Sequence, residues 1–288
     1  MNIEVYLNGS FVPVEEAKIS VTDRGFLFGD GVYEVIPVYG GHLFRLEYHL
    51  QRLHRSLQGI RMDNPHTDDE WEQILIRLTA QLAGSDQAVY LQVTRGSTDT
   101  RDHVWPKEIE PTIYARTKKL NTPTSEEKRK GIHAITLEDP RWEHCDIKAI
   151  TLLANVLARS QAADAGAQEA ILIRDDSATE GAASNLFIVK DKLLITPPKS
   201  DSLLPGITRE IVLELAKQHG IPFAEAGITA DDLRSADEVW MSSSTKEILP
   251  VLQLDGQTVG TGVAGEAWEE MNALYESCKQ RIRQGGKI

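Results

Sequence analysis

The sequence predicts a mixed α/β (α+β) protein built as two domains. Its 288 residues exceed the usual size of one simple domain. Hydrophobic residues follow the strand period in some segments and the helix period in others, in alternation along the whole chain. The polar segment 118–130 contains a proline and follows neither period, which is typical of a connection between domains. We therefore predict domains at residues 1–118 and 131–288, joined by a linker at 119–130.

The first domain is predicted to begin with two hairpins. Apolar residues alternate over positions 3–7, and the pair Asn8-Gly9 is a strong turn signal before the next short strand. Residues 32–38 and 42–44 show the same pattern of two strands separated by a turn.

Two helices and two further strands complete the predicted first domain. Leucines recur at helical spacing over 46–61, and a second helix is predicted from Asp68 to a stop at Gly84. Strands are predicted at 88–95 and 112–116. The buried face of the second helix is expected to consist of Trp71, Leu75, Leu78 and Leu82.

The predicted second domain also mixes strands and helices. Gly166 and Gly220 each follow a helical pattern, as expected of helix-ending glycines, and Thr229 with Asp232 forms a helix start that resembles a capping box. The predicted strands are 132–137, 169–174, 185–190, 193–196, 237–241 and 248–254. The predicted helices are 151–165, 207–219, a short one after Thr229, and 264–283.

Composition disfavours several classes of function. A net charge of -12 disfavours nucleic-acid binding, which depends on clustered lysine and arginine. The N-terminal stretch lacks the pattern of a signal peptide, and no apolar run is long enough for a transmembrane helix. The only cysteines, Cys145 and Cys278, disfavour a disulfide scaffold and a cysteine metal site. We therefore expect a cytoplasmic protein with no metal, no nucleic acid and no membrane partner.

Lys148 and Glu180 are candidate catalytic residues. Lys148 borders an apolar run, and a partly desolvated lysine amine can attack a carbonyl carbon. Glu180 is predicted to lie in a loop before the strand 185–190, where a carboxylate can keep a heterocyclic nitrogen protonated. Taken alone, each residue is more often an ordinary surface or turn residue.

The helix that begins at Ile207 is a candidate phosphate site. Its first backbone N–H groups have no partner within the helix, and the Thr208 hydroxyl adds a further donor. Four consecutive hydroxyl residues at 242–245 follow an apolar strand and provide more donors. An ordinary capped helix and a polar turn are the alternatives.

Arg101 and His103 are candidates for binding a carboxylate. They flank one residue in a polar loop after the strand 88–95, so that two cations can approach the same anion. A solvated loop is the alternative.

Taken together and in this order, the motifs resemble those of fold-type IV pyridoxal-phosphate enzymes. Among these, the chain is most similar to the bacterial D-amino-acid aminotransferases. The similarity extends from about Tyr6 to about Val263. It rests on residues 23–35, 141–142, 145–148, 179–181, 184–185, 206–209 and 243–248.

The resemblance implies a role for each matching residue. Lys148 matches the lysine that forms the Schiff base and moves protons, and Glu180 matches the carboxylate paired with the pyridine nitrogen. Arg52 matches the arginine on the cofactor phosphate. The other matches are Leu204 against the cofactor ring, Ile207, Thr208 and Ser244 at its phosphate, Ser243 in the same loop, and Tyr33 near the substrate.

The resemblance also implies a cofactor, pyridoxal 5'-phosphate, bound between the two domains of each subunit of a homodimer. In D-amino-acid aminotransferases, an Arg-x-His loop reaches in from the neighbouring subunit and holds the substrate carboxylate. Arg101 and His103 match that loop. The loop is one residue longer here than the family pattern, and its end places the bulky Trp105 near the site.

The implied function is transfer of an amino group between D-amino acids, such as D-alanine and D-glutamate, and 2-oxo acids, such as 2-oxoglutarate and pyruvate. An (R)-amine transaminase is an alternative that is compatible with Trp105 and the longer loop. A branched-chain L-amino acid transaminase is a second alternative, which the Arg-x-His spacing disfavours. An aminodeoxychorismate lyase and a scaffold protein without activity are further alternatives, and Lys148 and Glu180 disfavour the scaffold.

Overall fold

The computed structural model describes residues 3–286, and the chain divides into two compact units. The first unit extends to Asn121 and also includes Ile147–Leu152 and the end of the chain from Arg281. The second unit comprises Thr122–Asp146 and Leu153–Gln280. The predicted boundaries place residues 147–152 in the second domain, whereas the contacts of this segment place it in the first unit. The mixed α/β class is confirmed.

The first unit contains an antiparallel sheet and two long helices. Its elements are β1 (Glu4–Leu7), β2 (Ser10–Pro13), α1 (Arg24–Phe28), β3 (Gly31–Tyr39), β4 (His42–Leu43), α2 (Leu46–Gly59), α3 (Asp68–Ala80), β5 (Gln87–Thr94) and β6 (Thr112–Lys119). The sheet order is β2-β1-β6-β5-β3-β4, and every neighbouring pair is antiparallel. Both predicted hairpins are therefore confirmed.

Helices α2 and α3 pack on this sheet through the apolar faces that their spacing predicts. Leu53 and Leu57 of α2 are buried with Trp71 and Leu75 of α3 against the strands. Burial of one such leucine contributes roughly 1.5–3 kcal/mol, so Leu53→Ala would weaken this unit strongly. The helix α3 ends before the predicted stop, and the predicted Leu82 lies in the following turn and is only half-buried.

The second unit contains a larger sheet of mixed direction. Its elements are α4 (Ser125–Arg129), β7 (Ile132–Glu138), α5 (Leu153–Asp164), β8 (Glu169–Arg174), β9 (Ser177–Gly181), β10 (Asn185–Lys190), β11 (Leu193–Thr196), α6 (Ile207–His219), β12 (Phe223–Glu225), β13 (Ile228–Thr229), α7 (Ala230–Arg234), β14 (Glu238–Ser243), β15 (Glu247–Leu254), β16 (Gln257–Thr258) and α8 (Glu266–Arg283).

The strands of this sheet follow the order β12-β11-β10-β14-β15-β7-β8-β9-β13, and β16 pairs with β15. Parallel pairs occur where β7 meets β8 and β15, and where β11 meets β12. Successive buried residues along the strands face opposite sides of the sheet. They contribute to two apolar clusters, one of which includes α7 and the other α5. Of the strands beside these clusters, β9 contains the candidate residue Glu180 and β14 ends at the candidate residue Ser243.

The predicted linker is partly helical. Strand β6 continues to Lys119, and Thr124 and Glu127 form a capping box that starts α4. Lys128 of this polar segment is 1% exposed and donates to Glu247 Oε2 at 2.5 Å and to Glu276 Oε1 at 2.6 Å. Lys279 donates to Glu247 Oε1 at 2.6 Å. The polar pattern of this segment therefore does not predict the buried ion cluster, because the partners of Lys128 lie far away in sequence.

The structure also contains short elements that the sequence patterns do not reveal. Strand β9 is the most important of these, because Glu180 was predicted to lie in a loop and instead lies within a strand. The reason is that Ser177–Gly181 has no apolar alternation, and its pairing with β8 and β13 stabilises it. Within residues 3–286, no helix is both long enough and apolar enough to cross a bilayer.

Candidate active site

Lys148 is positioned by the edge of β3 in the first unit. Its backbone carbonyl accepts a hydrogen bond from Tyr33 N at 3.0 Å, and Ile150 N donates to Gly31 O at 3.0 Å. Lys148 N donates to Ser56 Oγ on α2 at 3.1 Å. The segment 147–152 therefore lies against the sheet, and the side chain that it carries has a fixed origin. Lys148 Nζ lies 4.2 Å from the centroid of the Tyr33 ring, so these two candidate residues meet.

Gly31 makes this arrangement possible. A Cβ atom at this position would lie 2.6 Å from Val93 O and 3.1 Å from Ile150 Cδ1. Contacts of that length force neighbouring atoms to move. The glycine therefore lets β3 lie close to the backbone of β5 and leaves room for Ile150 of the segment that contains Lys148.

Arg52, the predicted phosphate ligand, is buried on α2 beside Glu34 of β3. Arg52 Nε donates to Glu34 Oε1 at 2.8 Å, and Arg52 donates from a second nitrogen to Oε2 at 2.7 Å. His49 Nδ1 lies 2.8 Å from the same Oε2. Glu34 and His49 are fully buried, and this two-pronged pairing fixes the plane of the guanidinium.

The charges of this cluster follow from burial and pairing. Burial alone would raise the pKa of Glu34, but Arg52 and His49 hold it well below its usual range. Burial lowers the pKa of His49 and outweighs the opposing effect of Glu34. The lowered pKa favours the neutral form of His49, and the tautomer with its proton on Nδ1 can donate to the ionised carboxylate of Glu34. Its Nε2 atom is buried and has no hydrogen-bond partner among the described residues.

Arg101 and His103 lie together in the loop that follows β5. Both side chains contact the ring of Phe28 on α1: Arg101 Cζ lies 4.9 Å from its centroid, and the two ring centroids of Phe28 and His103 are 5.3 Å apart. Both residues are exposed in the single chain. Trp105, at the end of the loop, lies under Arg95, whose Cζ is 4.0 Å from the indole centroid.

Glu180 is the centre of the candidate site in the second unit. It is 5% exposed on β9, and its Oε1 accepts a short hydrogen bond from Arg141. Arg141 also donates from two nitrogens to Asp139, at 2.9 Å each. Burial alone would lower the pKa of Arg141, but Asp139 and Glu180 hold it above its usual value. The buried cation beside Glu180 therefore favours its carboxylate form.

Asn185 joins Glu180 to the segment that precedes α6. Its Nδ2 donates to Glu180 Oε2 at 3.2 Å and to Leu204 O at 2.8 Å. Leu204 N donates to the same Glu180 oxygen at 3.1 Å. A Cβ atom at Gly206 would lie 1.8 Å from Asn185 Oδ1, so only glycine fits there. The predicted residues Glu180 and Leu204 are thus brought together, and Asn185 is the residue that joins them.

The start of α6 provides free backbone donors. Gly206 is its N-cap and supplies no side-chain hydrogen bond, which leaves the N–H groups of the first turn available for an anion. Ile207 and the Thr208 hydroxyl belong to that first turn, and both residues are buried.

Ser243 and Ser244 lie at the turn between β14 and β15. Ser243 pairs with Glu247 in the ladder, and Ser243 Oγ accepts a hydrogen bond from Lys246 N at 3.3 Å. Ser242 of β14, one residue earlier, pairs with Asn185 of the neighbouring strand β10. The Ser242 hydroxyl is buried and has no hydrogen-bond partner among the described residues. Sequence reasoning included Ser242 in the hydroxyl run but did not select it.

The sequence analysis assigned no role to the residues that support the candidate groups. Glu34 and His49 surround Arg52, and Asp139 and Asn185 belong to the network around Glu180. A polar residue within an apolar strand, such as Glu34 in β3, is the one signal that could have found them. Burial raises the pKa of the Cys145 thiol. Residues 3–286 contain no cluster of three or more acidic, histidine or cysteine side chains suited to a metal ion.

Comparisons with known proteins place this geometry in context. A family model described as amino-transferase class IV matches residues 31–254. The chain is 41% identical over 278 residues to a D-alanine aminotransferase of Staphylococcus aureus (strain MW2), with 95% of this chain and 96% of the relative covered. It is 41% identical over 275 residues to a D-alanine aminotransferase of Bacillus licheniformis, with 96% of each chain covered.

Solved structures share the fold at lower identity. A branched-chain amino acid aminotransferase from Escherichia coli superposes with a TM-score of 0.89 at 29% identity, over 96% of this chain and 94% of the other. A T.th. branched-chain amino acid aminotransferase, solved with pyridoxamine 5'-phosphate, gives a TM-score of 0.90 at 28% identity, over 97% and 94% of the two chains.

Proposed function

This chain belongs to the class IV aminotransferase family, and we propose that it transfers amino groups between D-amino acids and 2-oxo acids. D-alanine and D-glutamate are the proposed donors, and 2-oxoglutarate and pyruvate are the proposed acceptors. The observation that favours D-amino acids over branched-chain L-amino acids is the difference in identity. The two relatives named D-alanine aminotransferase that are described above are 41% identical over nearly the whole chain, whereas the two branched-chain enzymes are 28–29% identical.

The described residues fit the cofactor of this family, pyridoxal 5'-phosphate. In the second unit, the uncapped start of α6 and the buried, unpartnered Ser242 hydroxyl are donors suited to a phosphate. Glu180 is a buried carboxylate suited to a pyridine nitrogen. In the first unit, Lys148 offers an amine and Arg52 a buried guanidinium. The proposed cofactor contacts are Arg52, Lys148, Glu180, Leu204, Ile207, Thr208, Ser243 and Ser244.

Each side chain has a chemical task in this proposal. When bound, the cofactor supplies an electron-withdrawing ring that stabilises negative charge on the substrate's α-carbon. Lys148 removes the proton from that carbon and returns a proton during the transfer. Glu180 holds a proton at the ring nitrogen, and Arg52 binds the phosphate in the plane that Glu34 sets. Tyr33, whose ring lies beside the Lys148 amine, is the proposed contact with the substrate.

Arg101 and His103 give the proposed preference for a substrate with a carboxylate. Their side chains lie against one ring, so two cationic or hydrogen-bonding groups point from one short loop. Such a pair binds a carboxylate through charge-assisted hydrogen bonds. The position of that carboxylate relative to Lys148 would determine which enantiomer presents its α-proton to the amine.

We propose a homodimer in which Arg101 and His103 serve the site of the neighbouring subunit. Both residues are exposed in the single chain, and Val104 beside them is 77% exposed. On α5 of the second unit, Leu153 is 70% exposed and Val156 and Leu157 are each 55% exposed. Exposed apolar groups of this kind are typical of surfaces that a partner covers.

The cytoplasm is the proposed location. Cys145 and Cys278 are both buried thiols, so the fold does not depend on an oxidising compartment.

An absorbance spectrum of the purified protein with pyridoxal 5'-phosphate tests the function. D-alanine, L-leucine and (R)-1-phenylethylamine are added separately, and Lys148→Ala serves as the control that cannot react through its lysine. We expect D-alanine alone to bleach the cofactor band of the wild-type protein. Bleaching by L-leucine instead would support the branched-chain alternative, and bleaching by the (R)-amine would support the amine transaminase. A protein without a cofactor band would contradict the proposal.

Co-expression of two impaired variants, assayed at a low concentration of D-alanine, tests the contribution across subunits. Lys148→Ala leaves the loop intact, and Arg101→Leu leaves the lysine intact. If the loop serves the neighbouring subunit, mixed dimers contain one complete site, and roughly a quarter of wild-type activity returns for random pairing. No recovery, with mixed dimers shown to be present, would mean that Arg101 acts within its own subunit.

A further inference from the structure

The segment 23–30, which precedes β3, has no role in the function proposed above, although it forms the first part of the chain's longest motif, residues 23–35. In the structure it forms the short helix α1, which is fastened to the sheet at its start. Asp23 is fully buried, and its Oδ2 accepts hydrogen bonds from the hydroxyls of Thr94 at 3.0 Å and Thr112 at 2.6 Å. Its Oδ1 caps the helix by accepting from Gly25 N at 2.7 Å. The helix therefore has a fixed position on β5 and β6.

Arg24 connects this helix to the loop that contains Arg101 and His103. Its guanidinium is buried and donates to two consecutive backbone carbonyls, Asp102 O at 2.6 Å and His103 O at 3.0 Å. The third donor, Nε, binds Asp30 Oδ2 at 2.8 Å. These bonds hold the backbone of the loop at the point between its two candidate side chains.

Asp30 extends the same connection to the far end of the loop. Its Oδ2 also accepts from Arg95 Nε at 2.8 Å, and Arg95 lies 4.0 Å from the Trp105 ring centroid. Burial alone would raise the pKa of Asp30, but Arg95 and Arg24 hold it below its usual value. One carboxylate thus orients the two arginines that hold the loop at residues 102–103 and at Trp105.

Phe28 orients the side chains of the loop. Its ring contacts Arg24 and Arg101, whose Cζ atoms each lie 4.9 Å from the centroid, and the His103 ring at 5.3 Å. Cations and polarised rings favour the face of an aromatic ring over free rotation in water. Arg101 and His103 therefore share one support, and Arg24 fixes the backbone between them.

We propose that Arg24 and Phe28 are positioning residues for carboxylate recognition. Arg24 sets the path of the loop backbone, and Phe28 sets the direction of Arg101 and His103. This inference rests on the proposed function, in which those two residues bind the substrate carboxylate. It assigns to α1 a contribution to substrate selectivity that is separate from the cofactor site, because none of these contacts involves a proposed cofactor ligand.

The test is a single-turnover measurement on the cofactor-loaded protein. The rate of bleaching is recorded over a range of D-alanine concentrations, which separates the half-saturating concentration from the limiting rate. For Phe28→Leu we expect the half-saturating concentration to rise about tenfold while the limiting rate stays within about twofold. Arg24→Lys, which keeps the charge but loses the double contact with the loop carbonyls, is expected to act in the same direction. Phe28→Tyr retains the ring and is expected to behave like the wild type.

A matched control is available in the same unit. Phe11 on β2 also lies under an arginine, with Arg77 Cζ 3.7 Å from its centroid, and its ring packs against Tyr6 at a centroid distance of 5.2 Å. Phe11→Leu is expected to lower thermal stability without changing the half-saturating concentration. A substrate without a carboxylate, D-alaninol, provides the second control, and its rate is expected to be equal for wild type and Phe28→Leu.

Arg101→Leu separates failure of this inference from failure of the proposed function. If Arg101→Leu raises the half-saturating concentration and both Phe28→Leu and Arg24→Lys do not, the inference is wrong and the carboxylate clamp stands. If Arg101→Leu has no effect either, the clamp itself is wrong. A fall in the limiting rate alone in Phe28→Leu would also overturn the inference, because it would indicate a role in the chemical step.

Discussion

Two buried pairs of a carboxylate and an arginine, one in each unit, use the same interaction in opposite ways. In the first unit, both carboxylate oxygens of Glu34 bind Arg52, and one of them also contacts His49. The carboxylate is therefore a support, and the arginine is the proposed ligand of the cofactor. In the second unit, Arg141 is held by Asp139 and supports Glu180, the proposed partner of the ring nitrogen. The comparison shows that pairing alone does not identify the functional member.

What distinguishes the two pairs is how the positive charge is shared. Arg52 donates to both oxygens of Glu34, and His49 adds a further contact, so the carboxylate is matched within its own cluster. Arg141 instead divides its donors between Asp139 and Glu180, and the other Glu180 oxygen faces the neutral donors of Asn185 and Leu204. Hydrogen bonds from neutral donors favour the ionised form of Glu180 without cancelling its charge. This arrangement suits a carboxylate that is proposed to face a cationic ring.

The largest expected effect is that of Glu180→Gln. An amide cannot hold a proton at the ring nitrogen as a carboxylate does, so kcat with D-alanine should fall by roughly a thousandfold. Binding of the cofactor, followed by its absorbance band, should change far less. A variant with near wild-type kcat would remove Glu180 from the proposed chemistry.

Glu34→Gln is the corresponding change in the first unit and should act on stability rather than on the chemical step. It leaves Arg52 as a buried cation without its carboxylate, which costs about 3 kcal/mol in the free energy of unfolding. Weaker binding of pyridoxal 5'-phosphate should accompany the loss, because the plane of Arg52 is no longer fixed. At saturating cofactor, kcat should return close to wild type. Urea unfolding and cofactor titration measure the two effects. A loss of kcat that persists at saturating cofactor would contradict the proposed difference between the two carboxylate–arginine pairs.

Arg141→Lys should have a smaller effect, of about tenfold on kcat. Lysine keeps the positive charge beside Glu180 but cannot bind Asp139 and Glu180 in one rigid fork. Arg129→Lys is the matched control, because Arg129 pairs with Glu269 at the surface of the same unit. An equal effect of both substitutions on kcat would contradict the supporting role of Arg141.

The smallest expected effect is a difference in pH dependence. His49 is buried with a lowered pKa, so below its ordinary value of 6.5 the unfolded chain takes up a proton that the folded chain does not. Stability contributed by this site should therefore fall as pH drops below 6.5, whereas the depressed carboxylates Glu34 and Asp139 lose theirs only below their ordinary values of 4.5 and 3.8. The histidines of the second unit (His133, His144 and His219) are exposed, so the described part of that unit has no buried histidine that corresponds to His49.

His49→Gln tests this directly. Urea midpoints at pH 7 and pH 5, with cofactor in excess, should differ less for the variant than for the wild type. Equal pH dependence of the two proteins would show that His49 does not remain neutral in the folded state.

Much of the fold could be predicted from local patterns. The helix α6 was predicted at its observed bounds, 207–219, because apolar periodicity, the preceding glycine and Gly220 all act within a few residues. The hairpin at Asn8-Gly9 was predicted for the same reason, since both residues adopt positive φ in a tight turn. The specific roles of Lys148, Glu180 and Arg52 depended on resemblance, because each is an ordinary residue by composition, and these roles stay predictions.

The sequence by itself therefore determined the class of fold, most helices and strands, the family and the set of candidate residues. The tertiary structure decided the contacts that give those residues a direction. It placed Glu180 on a strand without apolar alternation, laid Lys148 along β3, and brought Arg101 and His103 onto Phe28. It also buried Lys128 beside Glu247, 119 positions later in the chain. Local periodicity reflects only neighbours within a turn or two, whereas the stability of a buried charge depends on partners that the folded chain alone brings near.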